Sequence, residues 1–175
     1  MPDLAPRIRG FGQGLPACVL KPQISPFPVN QLVIIPTAPP QPVTCNNGHV
    51  SNSWFDILQL RVQGGVEEVE ASVNQEDIAK RAAWVVELAQ WVQQTKGLEV
   101  HLGGLSQGAM TTFATVLQSA FPFKSAVCLS GYRCARVDWV ALDKAKLPPI
   151  FVYHGQLDEL VNYAAAKATY DHLQL

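Results

Sequence analysis

The stretch Gly104-Leu105-Ser106-Gln107-Gly108 places a serine between two glycines at G-x-S-x-G spacing. A serine hydroxyl attacks a carbonyl well only if it is held clear of its neighbours. A tight strand-to-helix turn does this, projecting Oγ above a sheet, and bulky residues two positions away would clash there. Ser106 is therefore the candidate nucleophile. The helix opening at Gln107 would aim its unpaired N–H groups and positive dipole end at the same point, so the Gln107 backbone N–H is a candidate oxyanion donor. Small residues cluster in many loops, so the motif takes its weight from its flanks. Leu98, Val100 and Leu102 alternate as a strand does, and Met110, Phe113, Ala114 and Leu117 follow at helical spacing.

The elements that must position this turn are legible on either side. Asn74 precedes Glu76 and Asp77 as an N-cap followed by acidic residues that complement a helix dipole. Ile78, Ala82, Val85, Ala89 and Val92 then form one apolar stripe, and Lys96-Gly97 ends the helix. Trp84 and Trp91 sit beside that stripe, as edge-of-core packing or as a partner surface. Leu32 to Ile35 is a short apolar run stopped by Pro36, as for a parallel strand buried on both faces. The runs 126–130 and 149–154 read as two further strands. Strands alternating with helices imply an α/β chain with a mostly parallel sheet in three layers, its catalytic groups at the carboxyl ends of the strands. The loop from Thr37 to Ser53 is long, and long loops in compact domains usually carry function.

Composition narrows the classes. The 175 residues are 48% hydrophobic and 15% charged, which suits one compact domain, and a net charge of −1 without a basic run gives no reason to expect nucleic acid as a partner. The four cysteines form no C-x-x-C pair and read as reduced small hydrophobes. No stretch has the apolar length of a membrane span, and the first residues lack the apolar region of a signal peptide. The expected location is cytoplasmic; the sequence leaves oligomeric state open.

Several stretches together resemble the phospholipase/carboxylesterase family of α/β-hydrolases, which includes the acyl-protein thioesterases. Gly104-Leu105-Ser106-Gln107-Gly108-Ala109 is similar to its G-[FL]-S-Q-G-[GA] elbow. Ile35-Pro36-Thr37-Ala38-Pro39, Pro42-Val43-Thr44, Asn46-Asn47-Gly48 and Ser53-Trp54-Phe55-Asp56-Ile57 resemble its P-T-A-P, P-V-T, N-G and W-[FY]-D-I signature. Leu129-Ser130-Gly131-Tyr132 and the run from His154-Gly155 through Asp158 to Val161 resemble its L-S-G-Y and H-G-x-x-D-x-[LV]-V segments. The resemblance implies a three-layer α/β-hydrolase fold and cleavage of carboxylic esters or thioesters through an acyl-serine intermediate. It implies acylated proteins, lysophospholipids or small esters as substrates, with no metal or organic cofactor.

Site residues carry over by position. Asp158 becomes the triad acid that orients a histidine and stabilises its imidazolium; the alternative is that Asp158 or Glu159 simply caps the helix starting near Asn162. Phe11, in Arg9-Gly10-Phe11-Gly12-Gln13, falls at the second oxyanion donor, although Arg9 stands where the family has His and Gln13 where it has Asp. Trp54 is a candidate for the substrate groove, with Phe55 and Ile57 as core anchors and Asp56 as a holder of loop N–H groups. Residues 1–30 are expected to be a Pro-rich segment with a degenerate remnant of the oxyanion loop, and residues 31–175 an incomplete hydrolase domain lacking the C-terminal strand and helix.

The general base is the difficulty. In the family the histidine follows the acid, and the only one here after Asp158 is His172, in an alanine-rich helical stretch. His154 reads as structural, and His101, inside the nucleophile strand, and His49, on the long loop, are remote candidates for the base. No histidine earns the role, so the expected alternative to an active hydrolase is a pseudo-hydrolase or fragment that retains an acyl-binding pocket.

Overall fold

The structure, a computed structural model, describes residues 18–20, 32–62 and 65–174. Its C-terminal half holds a three-stranded parallel sheet in the order β5 (His101–Leu105), β6 (Ser125–Leu129), β7 (Ile150–Tyr153), with Gly104 opposite Cys128 and Cys128 opposite Val152. Before it come β1 (Cys18–Leu20), β2 (Val33–Ile35), β3 (Pro40–Val43), β4 (His49–Asn52), α1 (Val66–Ala71) and α2 (Gln75–Lys96). Helix α3 (Gln107–Gln118) connects β5 to β6, and α4 (Tyr163–Leu173) follows β7.

Helix α2 forms where its caps predict. Asn74 Oδ1 accepts from the N–H groups of Glu76 and Asp77 at 3.0 and 3.1 Å. Gly97 closes the helix in the left-handed region at φ 63°. Its buried residues are Ile78, Ala82, Val85, Ala89 and Val92, the predicted stripe. Helix α3 lies between α2 and the sheet and is buried all round from Ala109 to Leu117. Its buried threonines are satisfied within the helix: the hydroxyls of Thr111, Thr112 and Thr115 donate to carbonyls one turn back.

Two sequence readings change. Val33–Ile35 is not a strand of the parallel sheet; it pairs antiparallel with Cys18–Leu20, and Ile35 is half exposed. A short apolar run looks the same in either setting, so periodicity could not separate them. The 37–53 stretch is not one open loop either. Pro40–Val43 and His49–Asn52 pair as a hairpin, and Asn47 and Gly48 turn it at φ 56° and 75°.

The sheet's two faces differ sharply. Leu102, Gly104, Ala126, Cys128, Ile150 and Val152 face the helices. On the other side Leu105, Val127, Phe151 and Tyr153 lie together and are 37–66% exposed, with no helix over them among the described residues. Parallel sheets ordinarily have both faces covered.

Candidate active site

The turn after β5 is built by one glycine more than the other. A Cβ on Gly104 would lie 2.2 Å from the Gly108 carbonyl and 2.6 Å from the Ala109 nitrogen, so strand end and helix start can touch only because position 104 has no side chain. A Cβ on Gly108 would meet nothing within 4 Å. The elbow therefore needs the backbone of residue 108 close by, not the absence of its side chain. Ser106 sits between them at φ 54°, ψ −120°, a conformation that costs a non-glycine residue about 1–3 kcal/mol. Two backbone bonds hold it there: its N–H donates to Leu129 O at 2.8 Å, and its carbonyl accepts from Met110 N–H at 3.1 Å. Gly131 completes the socket, because a Cβ there would come within 2.5 Å of the Ala109 Cβ. Ser106 is exposed, and its hydroxyl has no hydrogen-bond partner among the described residues.

Gln107 is the first residue of α3, and among the described residues nothing accepts from its backbone N–H. Its side chain has a task that sequence reading missed. Oε1 accepts from Trp54 N–H at 2.8 Å, while Nε2 donates to Ser53 Oγ and Phe55 O at 2.7 Å each. One amide thus pins the Ser53-Trp54-Phe55 segment against the elbow. The signal was present as a glutamine rather than an aliphatic residue beside the serine. What it bonds to, more than fifty positions away, could not be read. Trp54 is further held by its carbonyl, which accepts from Arg81 Nε at 2.9 Å, and its ring lies 6.0 Å from that of Trp84. Phe55 is fully buried, and Asp56 holds Thr44 through its N–H at 2.7 Å and its hydroxyl at 2.6 Å, as expected of a loop anchor.

Asp158 follows β7 at the same end of the sheet. Its Oδ1 accepts from the N–H groups of Leu160 and Val161 at 3.0 and 2.9 Å. The cap of α4 is instead Asn162, which accepts from Ala164 N–H at 2.7 Å. Asp158 Oδ2 lies 3.6 Å from His154 Nε2. One strand, β6, lies between those that carry Ser106 and Asp158, so the two residues are set two strand spacings apart, about 10 Å in an ordinary sheet. The triad candidates thus share the carboxyl edge of the sheet without touching. Phe11 lies outside the described residues.

The four histidines are all placed elsewhere. His101 begins β5, at the opposite end from Ser106, and its Nδ1 is 2.7 Å from Ser125 Oγ. His49 is exposed on β4, and His172 is on α4 with its ring 3.9 Å from that of Trp139. His154 is buried, with both ring nitrogens engaged. Among the described residues no three His, Cys, Asp or Glu side chains gather as a metal site, and no helix is long and apolar enough to cross a membrane.

Known proteins resemble this chain in sequence and in fold. The chain is 34% identical over 143 residues to Carboxylesterase SOBER1 of Arabidopsis thaliana, an alignment covering 81% of this chain and 61% of that protein. It is 28% identical over 142 residues to Acyl-protein thioesterase 1 homolog 1 of Dictyostelium discoideum, with the same two coverages. The chain thus spans about 61% of the length of these curated relatives. Among solved structures, that of Arabidopsis thaliana SOBER1 superposes with a TM-score of 0.62 at 28% identity, covering 80% of this chain and 66% of that one. Acyl-protein thioesterase 2 of Zea mays shares the fold at a TM-score of 0.68 and 23% identity, covering 87% and 70%. A sequence model of one family matches residues 8–175, and the chain belongs to that family, the phospholipases/carboxylesterases.

Proposed function

We propose that the chain carries the nucleophile and acid of a serine hydrolase that cleaves carboxylic esters or thioesters. The observation that supports this most is the elbow: an exposed serine at φ 54°, at the carboxyl end of a parallel strand and the N-terminus of a buried helix. Ser106 Oγ attacks the acyl carbonyl as its proton passes to a base. Gln107 N–H, with Phe11 N–H as second donor, receives the oxyanion. Collapse expels the alcohol or thiol, leaving an acyl-serine that water hydrolyses. Asp158 orients the base, and Trp54, pinned by Gln107, borders the acyl groove. The relatives' names support acylated proteins and carboxylic esters as substrates; lysophospholipids are further esters open to the same chemistry, and the cytoplasm is the proposed location.

None of the four histidines is placed to take the Ser106 proton, so the 175-residue chain should turn over slowly. Loss of one triad member typically costs several powers of ten in kcat and leaves the oxyanion and binding contributions. The test is labelling of the purified chain with a fluorophosphonate, beside Ser106→Ala. Slow labelling that the substitution abolishes is expected. Labelling that survives in Ser106→Ala, or no labelling of the parent chain at saturating probe, overturns the reading.

A further inference from the structure

The side chain of His154 is almost wholly buried, at 1% exposure, just past the end of β7. Its two ring nitrogens each meet a partner with no proton to give. Nε2 lies 2.7 Å from the carbonyl oxygen of Val161, which can only accept, so Nε2 carries hydrogen. Nδ1 lies 2.9 Å from the Tyr170 hydroxyl. That hydroxyl has a single hydrogen, and it is spent 2.6 Å away on Gly131 O; two oxygens so close without a proton between them would repel. Tyr170 therefore accepts from Nδ1, which carries hydrogen as well. Burial pushes the Tyr170 phenol well up, so it keeps the one hydrogen this count requires.

A neutral imidazole has one N–H, and this site asks for two. The countercharge is in place: Asp158 Oδ2 is 3.6 Å from Nε2, beyond a hydrogen bond but well within Coulombic reach in a buried setting. We propose that His154 is an imidazolium paired with the Asp158 carboxylate, and that it is a positioning residue for Asp158 and not a base for Ser106. The groups facing it are Asp158 on its own loop and Tyr163 and Tyr170 on α4, while Cys128 on β6 lies near Tyr170. Val161 closes the unit, since its N–H bonds Asp158 and its carbonyl bonds His154. The loop from 154 to 161 is thus tied through one charged ring to α4 by Tyr170 and to the loop after β6 by Gly131.

The protonation stands apart from the hydrolase reading; only its use in setting the acid rests on that reading. The test is long-range proton–nitrogen correlation NMR on the 15N-histidine-labelled chain at neutral pH, with His154 assigned by loss of its signals in His154→Gln. The expected result is two ring nitrogens with closely similar, protonated shifts. A wide split between the two, the signature of a neutral tautomer, overturns the proposal. Asp158→Asn separates pairing from mere packing: loss of the doubly protonated signature is expected, and its persistence unchanged overturns the pairing with Asp158. Neither readout involves Ser106, so failure of fluorophosphonate labelling beside an imidazolium spectrum removes the function and leaves this inference standing.

Discussion

Replacing Gly104 and Gly108 separately by alanine tests the account of the elbow, because a G-x-S-x-G motif treats the two glycines alike and the structure does not. At 104 the added Cβ falls 2.2 Å from two backbone atoms of Gly108, about 1.2 Å short of the 3.4 Å at which ordinary contact begins. Backbone cannot rotate aside as a flexible side chain can, so α3 must move off β5. Ordinary overpacking costs about 1–3 kcal/mol and occasionally more. A clash with rigid backbone belongs at the upper end, so roughly 3 kcal/mol or more is expected. At 108 the added Cβ meets nothing, and alanine in place of glycine favours a helix by up to about 1 kcal/mol. For a chain of this size about 1 kcal/mol moves Tm by roughly 2–4 °C. Gly104→Ala should therefore melt roughly 6–12 °C below the parent, and Gly108→Ala at or slightly above it. The assay is thermal unfolding followed by circular dichroism, repeated by urea titration. Equal losses in both variants, or a harmless Gly104→Ala, would refute the close approach of strand end and helix start.

Gln107→Leu keeps the side chain's bulk but leaves Trp54 N–H without its partner, and it removes one of the two hydrogen bonds at Ser53 Oγ and at Phe55 O, which still bond each other at 2.6 Å. One partly buried N–H left unpaired costs about 1–3 kcal/mol, so a loss in that range is expected in urea titration, with a red shift in tryptophan emission as the Trp54 segment loosens. Alkaline titration reads the core differently. Burial pushes the thiols of Cys128 and Cys134 and the phenol of Tyr132 up to about 12, from ordinary values of 9.0 and 10.0. The unfolded chain releases these protons first, so stability is full below pH 9 and falls as pH rises through 12. Urea midpoints measured from pH 7 to 11 should fall only above 9; a flat profile would contradict the burial.

How far the site was legible in the sequence depends on the range of the interactions. The N-cap at Asn74, the stripe from Ile78 to Val92 and the serine elbow rest on contacts within a turn or two, where residue type and spacing carry the information. The β3–β4 hairpin is local too, but its prolines at 40 and 42 hid it behind a loop-like composition. The pairing of Val33–Ile35 with Cys18–Leu20 was hidden because a short apolar run does not name its partner strand.

The sequence alone determined the turn that carries Ser106, since a serine between small residues with a strand before it and a helix after it is a local arrangement set by contacts within a few residues. Spacing assigned the base role to none of the four histidines. Only the tertiary structure decided what the remaining polar groups do. Gln107 reaches back to residues 53–55, and His154 joins Asp158, Val161 and Tyr170. Packing likewise left Leu105, Val127, Phe151 and Tyr153 together on an open sheet face. These are facts of three-dimensional proximity: buried donors and acceptors must find partners wherever the fold brings them, and sequence spacing does not encode who those partners are.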